Sequence, residues 1–176
     1  MVGYFPRHSI AWKIEEPAAF RALTLSLFGS AFLAGVVLHL VRTLALTYIP
    51  EGRWALFSIL EVLIVLALLA AAAAHLANYP LRHWIWRAPS FAAIAAIGAI
   101  VTSVVLVALH RERWGSSHAH WDDLPSMAAA FLITDLIAVC LFAALLAGVV
   151  QVVRSALVRH EHRESTVEAI HEGRAS

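Results

Sequence analysis

Charge is scarce in this 176-residue sequence: Asp, Glu, Lys and Arg make up 14% of it, against 61% hydrophobic residues. A soluble domain is usually about half apolar and a quarter charged, so a chain of this composition needs lipid around it. The formal net charge of +1 leaves no basic stripe, and no nucleic-acid partner is expected. The one cysteine, Cys140, lies deep in an apolar stretch. It supplies neither a disulfide framework nor a cysteine metal motif and reads as a small core residue. The first apolar run, from about Phe20, has no Ala-x-Ala-like site after it, so no cleavable signal peptide is expected. A nucleophile–base pair, a phosphate loop and any reaction-specific motif are also missing, so classical enzyme chemistry is not expected.

What the sequence does contain is four apolar segments, over about 18–41, 54–77, 91–109 and 127–153. Each approaches or exceeds the ~20 residues an α-helix needs to cross a bilayer. Pro17, the Pro50-Glu51-Gly52 break, Pro80, Pro89 and Pro125 punctuate them. The expected fold is all-α, an integral membrane four-helix bundle over 18–153. An interfacial segment over 1–17 precedes it and a polar cytoplasmic tail over 154–176 follows. Nine Lys and Arg residues fall on the side of the N-terminus, second loop and C-terminus, against four on the other. The positive-inside rule then places both termini in the cytoplasm. Trp12, Trp84 and Trp86 fall at the inner interface and Trp54, Trp114 and Trp121 at the outer one, as an aromatic belt requires. Small residues recur at four-residue spacing in Ser26/Ser30/Ala34, Ala95/Ala99/Ser103 and Ala144/Gly148. Such stripes let helices pack closely in lipid and predict a tight bundle, as a homo-oligomer or part of a larger membrane complex.

Ionisable residues within the spans carry the most information, because each costs about 2.5–3.5 kcal/mol at mid-helix unless paired or hydrated. They are His39 in helix 1, Glu61 and His75 in helix 2, and Asp135 in helix 4. From the helical rise, Glu61 and Asp135 lie at matching depth, about 10–12 Å below the outer interface, where they could share a proton or a cation. His39 lies above them and His110 closes helix 3 at about its level, while His75 is alone near the inner side. Structural hydrogen bonding between helices is the competing explanation.

Loop 3 offers a second constellation: His110, His118, His120, Asp122 and Asp123. A His-x-His pair followed by two carboxylates supplies ligands of the kind Zn²⁺, Cu²⁺ or Ni²⁺ accept, although the spacing fits no strict motif. Haem held between His39 and His110 is a further possibility, poorly covered because His110 ends its helix.

The junction Asn78-Tyr79-Pro80-Leu81-Arg82-His83-Trp84-Ile85, with Leu38-His39-Leu40 and Glu61, resembles the PsiE family of phosphate-starvation-inducible membrane proteins. That resemblance implies a small four-helix inner-membrane protein with a cytoplasmic second loop, and carries no catalytic residues. The expected function is an accessory or regulatory membrane protein without a cofactor, whose cluster of His39, Glu61, Asp135 and His75 senses or binds protons or ions. The alternative is a redox subunit holding a transition metal or haem through the outer-side histidines.

Overall fold

The computed structural model describes residues 25–49, 53–114 and 117–175, with side chains as far as residue 156. The interfacial segment expected over 1–17 and the start of the first span lie outside the described residues. Among those described, four helices carry the chain: α1 (Leu27–Tyr48), α2 (Trp54–Leu76), α3 (Trp84–Ala108) and α4 (Leu124–Ala175). Short 3-10 turns over Leu81–His83 and Trp121–Asp123 lead into α3 and α4. Between these helices β1 (Arg113–Trp114) pairs antiparallel with β2 (Ser117–His118). All four helices are long and apolar enough to cross a membrane, and the chain is an all-α, multi-pass four-helix membrane protein.

Two compact units make up the chain, 1–141 and 142–176. The first holds α1 to α3 and the start of α4. The second is the remainder of α4, which exposes Leu145, Val149, Val152 and Val153 before the sequence turns polar at Arg154.

Helix ends differ from the hydropathy reading in three places, each for a local reason. α1 continues through Arg42 to Tyr48 instead of stopping near residue 41, because Arg42 is paired within the span. α3 starts at Trp84 rather than near residue 91, and Pro89 lies inside it. A proline there forgoes the bond to the Ile85 carbonyl, and Ile85 is 83% exposed at the helix start. α4 starts at Leu124 with Pro125 in its first turn, where the backbone N–H groups have no intrahelical acceptor to lose.

Packing centres on α1 against α3. At four-residue steps, α1 buries Ala31, Gly35, His39 and Thr43. Its counterpart on α3 includes Ala88, Ala92, Ala95, Ala96 and Ala99. A Cβ at Gly35 would overlap the Ala95 carbonyl, and one at Gly98 would stand 2.5 Å from the Phe32 carbonyl oxygen. The two backbones therefore touch, which in lipid replaces the hydrophobic effect as the source of helix adhesion. The Ala95/Ala99/Ser103 stripe is buried here, but on α1 the contact lies on Ala31/Gly35 and not on Ser26/Ser30/Ala34. Ser26 instead caps α1, its Oγ accepting from the Gly29 N–H at 3.0 Å. α2 buries little besides Leu68, Ala72, His75 and Leu76 and exposes Ile59, Val62, Leu63 and Leu66, a surface suited to acyl chains.

The chain after α3 folds back over the bundle. His110 adopts a left-handed φ of 54°. The His110 N–H bonds the Val107 carbonyl (3.0 Å) and the Arg111 N–H bonds that of Leu106 (2.8 Å). This is the Schellman pairing that ends a helix, usually built on glycine. The reversal brings Trp114 against Phe131, edge to face at 6.4 Å, beside a buried cluster of Val107, Ala119 and Met127.

Candidate functional site

Two ion pairs lie within the bundle near the loop-3 end. His39 Nε2 is 3.1 Å from Glu112 Oε2, with side-chain exposures of 3% and 0%. The histidine comes from the buried face of α1 and the glutamate from the chain folded back after α3, where the Glu112 N–H bonds the Leu106 carbonyl. The Phe131 ring packs edge-on against His39 at 5.0 Å, shielding the pair. Arg42, one turn along α1, donates from Nε to Glu61 Oε1 on α2 at 2.7 Å. Next to them, the Arg113 Nη1 donates to the Leu46 carbonyl at 3.4 Å, placing a cation at the C-terminal end of α1, where the helix dipole favours it.

Of these groups, His39, Arg42 and Glu61 line a cavity of about 240 Å³, together with Trp114, Phe131, Thr134 and Asp135. At ~30 Å³ per water, it has room for a small hydrated cluster and is below the usual size for an organic ligand. Asp135 lines this space and makes no hydrogen bond or ion pair among the described residues. Buried polar atoms without partners also gather on this side, including Arg42 Nη1, Thr43 Oγ1 and Glu112 Oε1. Glu61 is bonded by Arg42 and Glu112 by His39, whereas Asp135 has no such partner among the described residues.

Of the residues singled out from the sequence, His39, Glu61 and Asp135 line the one cavity. His39 lies nine residues before the end of α1, about 13 Å along the helix by its rise, deeper than the reading with a shorter helix placed it. His75 stands apart at the loop-2 end of α2, fully buried between Ser30, Arg87, Tyr79 and Phe91. Glu112 and Arg42, the partners of two cavity residues, were not singled out. A signal for the α1 face was available: Ala31, Gly35, His39 and Thr43 follow one another at helical spacing in a helix otherwise rich in Leu and Val.

The loop-3 ligand set does not assemble. Among the described residues, no three His, Cys, Asp or Glu side chains are grouped as a metal would require. His110 and His118 are exposed, and Asp123 is committed to capping: its Oδ2 accepts from the His120 N–H at 2.8 Å, and its own N–H returns to the His120 side chain. Of the two histidines considered for haem, His39 is engaged by Glu112 and His110 ends α3 in an exposed left-handed position. The capping role makes a prediction. Asp123→Ala should cost about 0.5–2 kcal/mol of stability, the worth of a helix cap, whereas His118→Ala should change it by less than about 0.5 kcal/mol. Denaturation of the two variants in mixed micelles checks the contrast.

Compared with protein-family models, curated proteins and solved structures, the chain finds no match.

Proposed function

We propose that this chain is a small accessory or regulatory protein of a bacterial inner membrane, PsiE-like, with both termini cytoplasmic, and that Asp135 binds a proton or a monovalent cation in the cavity between α1, α2 and α4. The observation that carries the reading is an unpaired carboxylate on a membrane-spanning segment, opening on a space already bordered by two ion pairs. An intramembrane acid is expensive unless a proton, a cation or water compensates it. The Glu61 and Glu112 carboxylates already have protein partners, and Asp135 has none among the described residues, which leaves an exchangeable partner to Asp135. The surplus of Lys and Arg on the side of both termini supports the orientation, and the Pro80-Leu81-Arg82 junction supports the PsiE-like assignment.

The test separates a site from structural glue. In the full chain reconstituted in lipid, infrared difference spectra between acidic and alkaline buffer should show a carboxyl band that Asp135→Asn removes. The same substitution should leave folding stability unchanged or raised, because it deletes an uncompensated charge rather than a contact. An acid-minus-alkaline spectrum that Asp135→Asn leaves unchanged in the carboxyl region, or a loss of stability like that of a broken packing contact, would refute the reading.

A further inference from the structure

The opposite end of the bundle holds a cation that the cavity does not use. Arg87, in the first turns of α3, lies with its guanidinium carbon 3.4 Å from the Tyr79 ring centroid and 4.5 Å from that of Trp86. Its Nη1 is 3.2 Å from His75 Nε2. A guanidinium only donates, so the imidazole accepts there and carries its proton on Nδ1, facing the Ser30 Oγ at 3.5 Å. Arg87 Nε is buried with no hydrogen-bond partner. No carboxylate pairs with Arg87, Arg82 or His83 among the described residues. The stretch from Ala77 to Ser90 contains no acidic residue at all.

The site is built, not merely charged. The Trp84 indole N–H donates to the carbonyls of Leu76 (2.9 Å) and Tyr79 (3.0 Å), locking the loop between α2 and α3. The Tyr79 hydroxyl donates to the Leu25 carbonyl at 2.7 Å, fixing the ring under Arg87. His83 packs near Trp86 at 6.4 Å, and Arg82 stands exposed in the same 3-10 turn. All of this lies where two membrane-spanning helices end, with Trp86 48% exposed, the level of lipid headgroups.

We propose that Arg87, with Arg82 and His83 at its rim, holds the phosphate of an anionic phospholipid headgroup. A planar guanidinium stacked on aromatic rings is suited to paired hydrogen bonds with a phosphate, and the aromatic faces fix its plane before the ligand arrives. The counter-charge missing among the described residues is then supplied by the bilayer. The inference is independent of the role given to Asp135.

Native mass spectrometry of the full chain in mild detergent, with equimolar phosphatidylglycerol and phosphatidylcholine, tests it. The native protein should retain phosphatidylglycerol preferentially, and Arg87→Gln and Arg82→Gln should each lower that preference about fivefold, the worth of one basic residue at an anionic surface. Arg82 is exposed and contributes no packing, so its variant reports even if Arg87→Gln fails to fold. Equal retention of the two lipids by the native protein, or a preference unchanged in Arg82→Gln and in any folded Arg87→Gln, overturns the proposal. Displacement of phosphatidylglycerol by excess inorganic phosphate would show a free-anion site and overturn the lipid assignment.

Discussion

Glu112→Ala should destabilise the protein by about 3–5 kcal/mol, the cost of removing one member of a buried ion pair and stranding the other. Both side chains are almost wholly withdrawn from solvent, and Glu112 Oε1 already lacks a hydrogen-bond partner. His39 would be left facing Phe131 and the cavity without its acceptor. His39→Ala should cost a comparable amount, and the two losses should not add, because each removes the same interaction. The double variant His39→Leu with Glu112→Leu should recover much of the loss, since apolar replacement of a whole buried pair is often neutral. Reversible unfolding in mixed micelles, read by circular dichroism, measures all of these. A loss below about 1 kcal/mol for Glu112→Ala would mean that the pair behaves as a solvated surface pair, and that the chain after α3 does not seal the bundle.

Gly35→Ala is expected to be the second large effect, even though it adds a single methyl group. That methyl would occupy the space of the Ala95 carbonyl, which is backbone and cannot swing aside, so α1 and α3 must separate along their contact. The loss should reach or exceed about 1–3 kcal/mol, the usual range for overpacking. Gly98→Ala should follow in the same direction, since its Cβ would meet the Phe32 carbonyl oxygen at 2.5 Å. Gly148→Ala is the internal control. A Cβ there meets nothing within 4 Å, so the gain in helix propensity, up to about 1 kcal/mol, is the only term expected. Equal effects at Gly35 and Gly148 would contradict the close approach of the two backbones.

The spans were legible from the sequence because length and hydropathy are local properties, and a bilayer reads them locally. The cavity was half legible. Counting residues from the span ends placed Glu61 and Asp135 at matching depth, because helical rise converts sequence distance into depth. The partners were not legible. Arg42 reads as an interfacial charge ending a helix until α1 is seen to continue past it, held by Glu61. Glu112 sits between Arg111 and Arg113 in a run that looks solvated, and only the left-handed turn at His110 sends it back towards His39. Nothing in the local sequence reports that reversal, since glycine, the usual marker, is absent from the position. Loop 3 misled for a related reason: His120 and Asp123 share a spacing suited to metal ligands, and the same spacing builds a helix cap. On α1 the four-residue stripe legible in the sequence is Ser26/Ser30/Ala34, whereas Gly35, the residue after it, makes the closest approach.

The contact between α1 and α3 also sets a schedule for synthesis. α1 is complete at Tyr48 and its partner face only at Ala108, about 60 residues later, or roughly 3–12 s at ribosomal speed. During that interval Gly35 and its neighbours have no mate, since α2, the helix made in between, is largely a lipid-facing element. The nascent chain thus carries an unsatisfied adhesive strip while still tethered to the ribosome, which is the stage at which insertion factors and membrane proteases meet it. Ribosome profiling or a stalled-chain crosslink should find α1 held by such factors until α3 emerges, and released once the glycine contact closes.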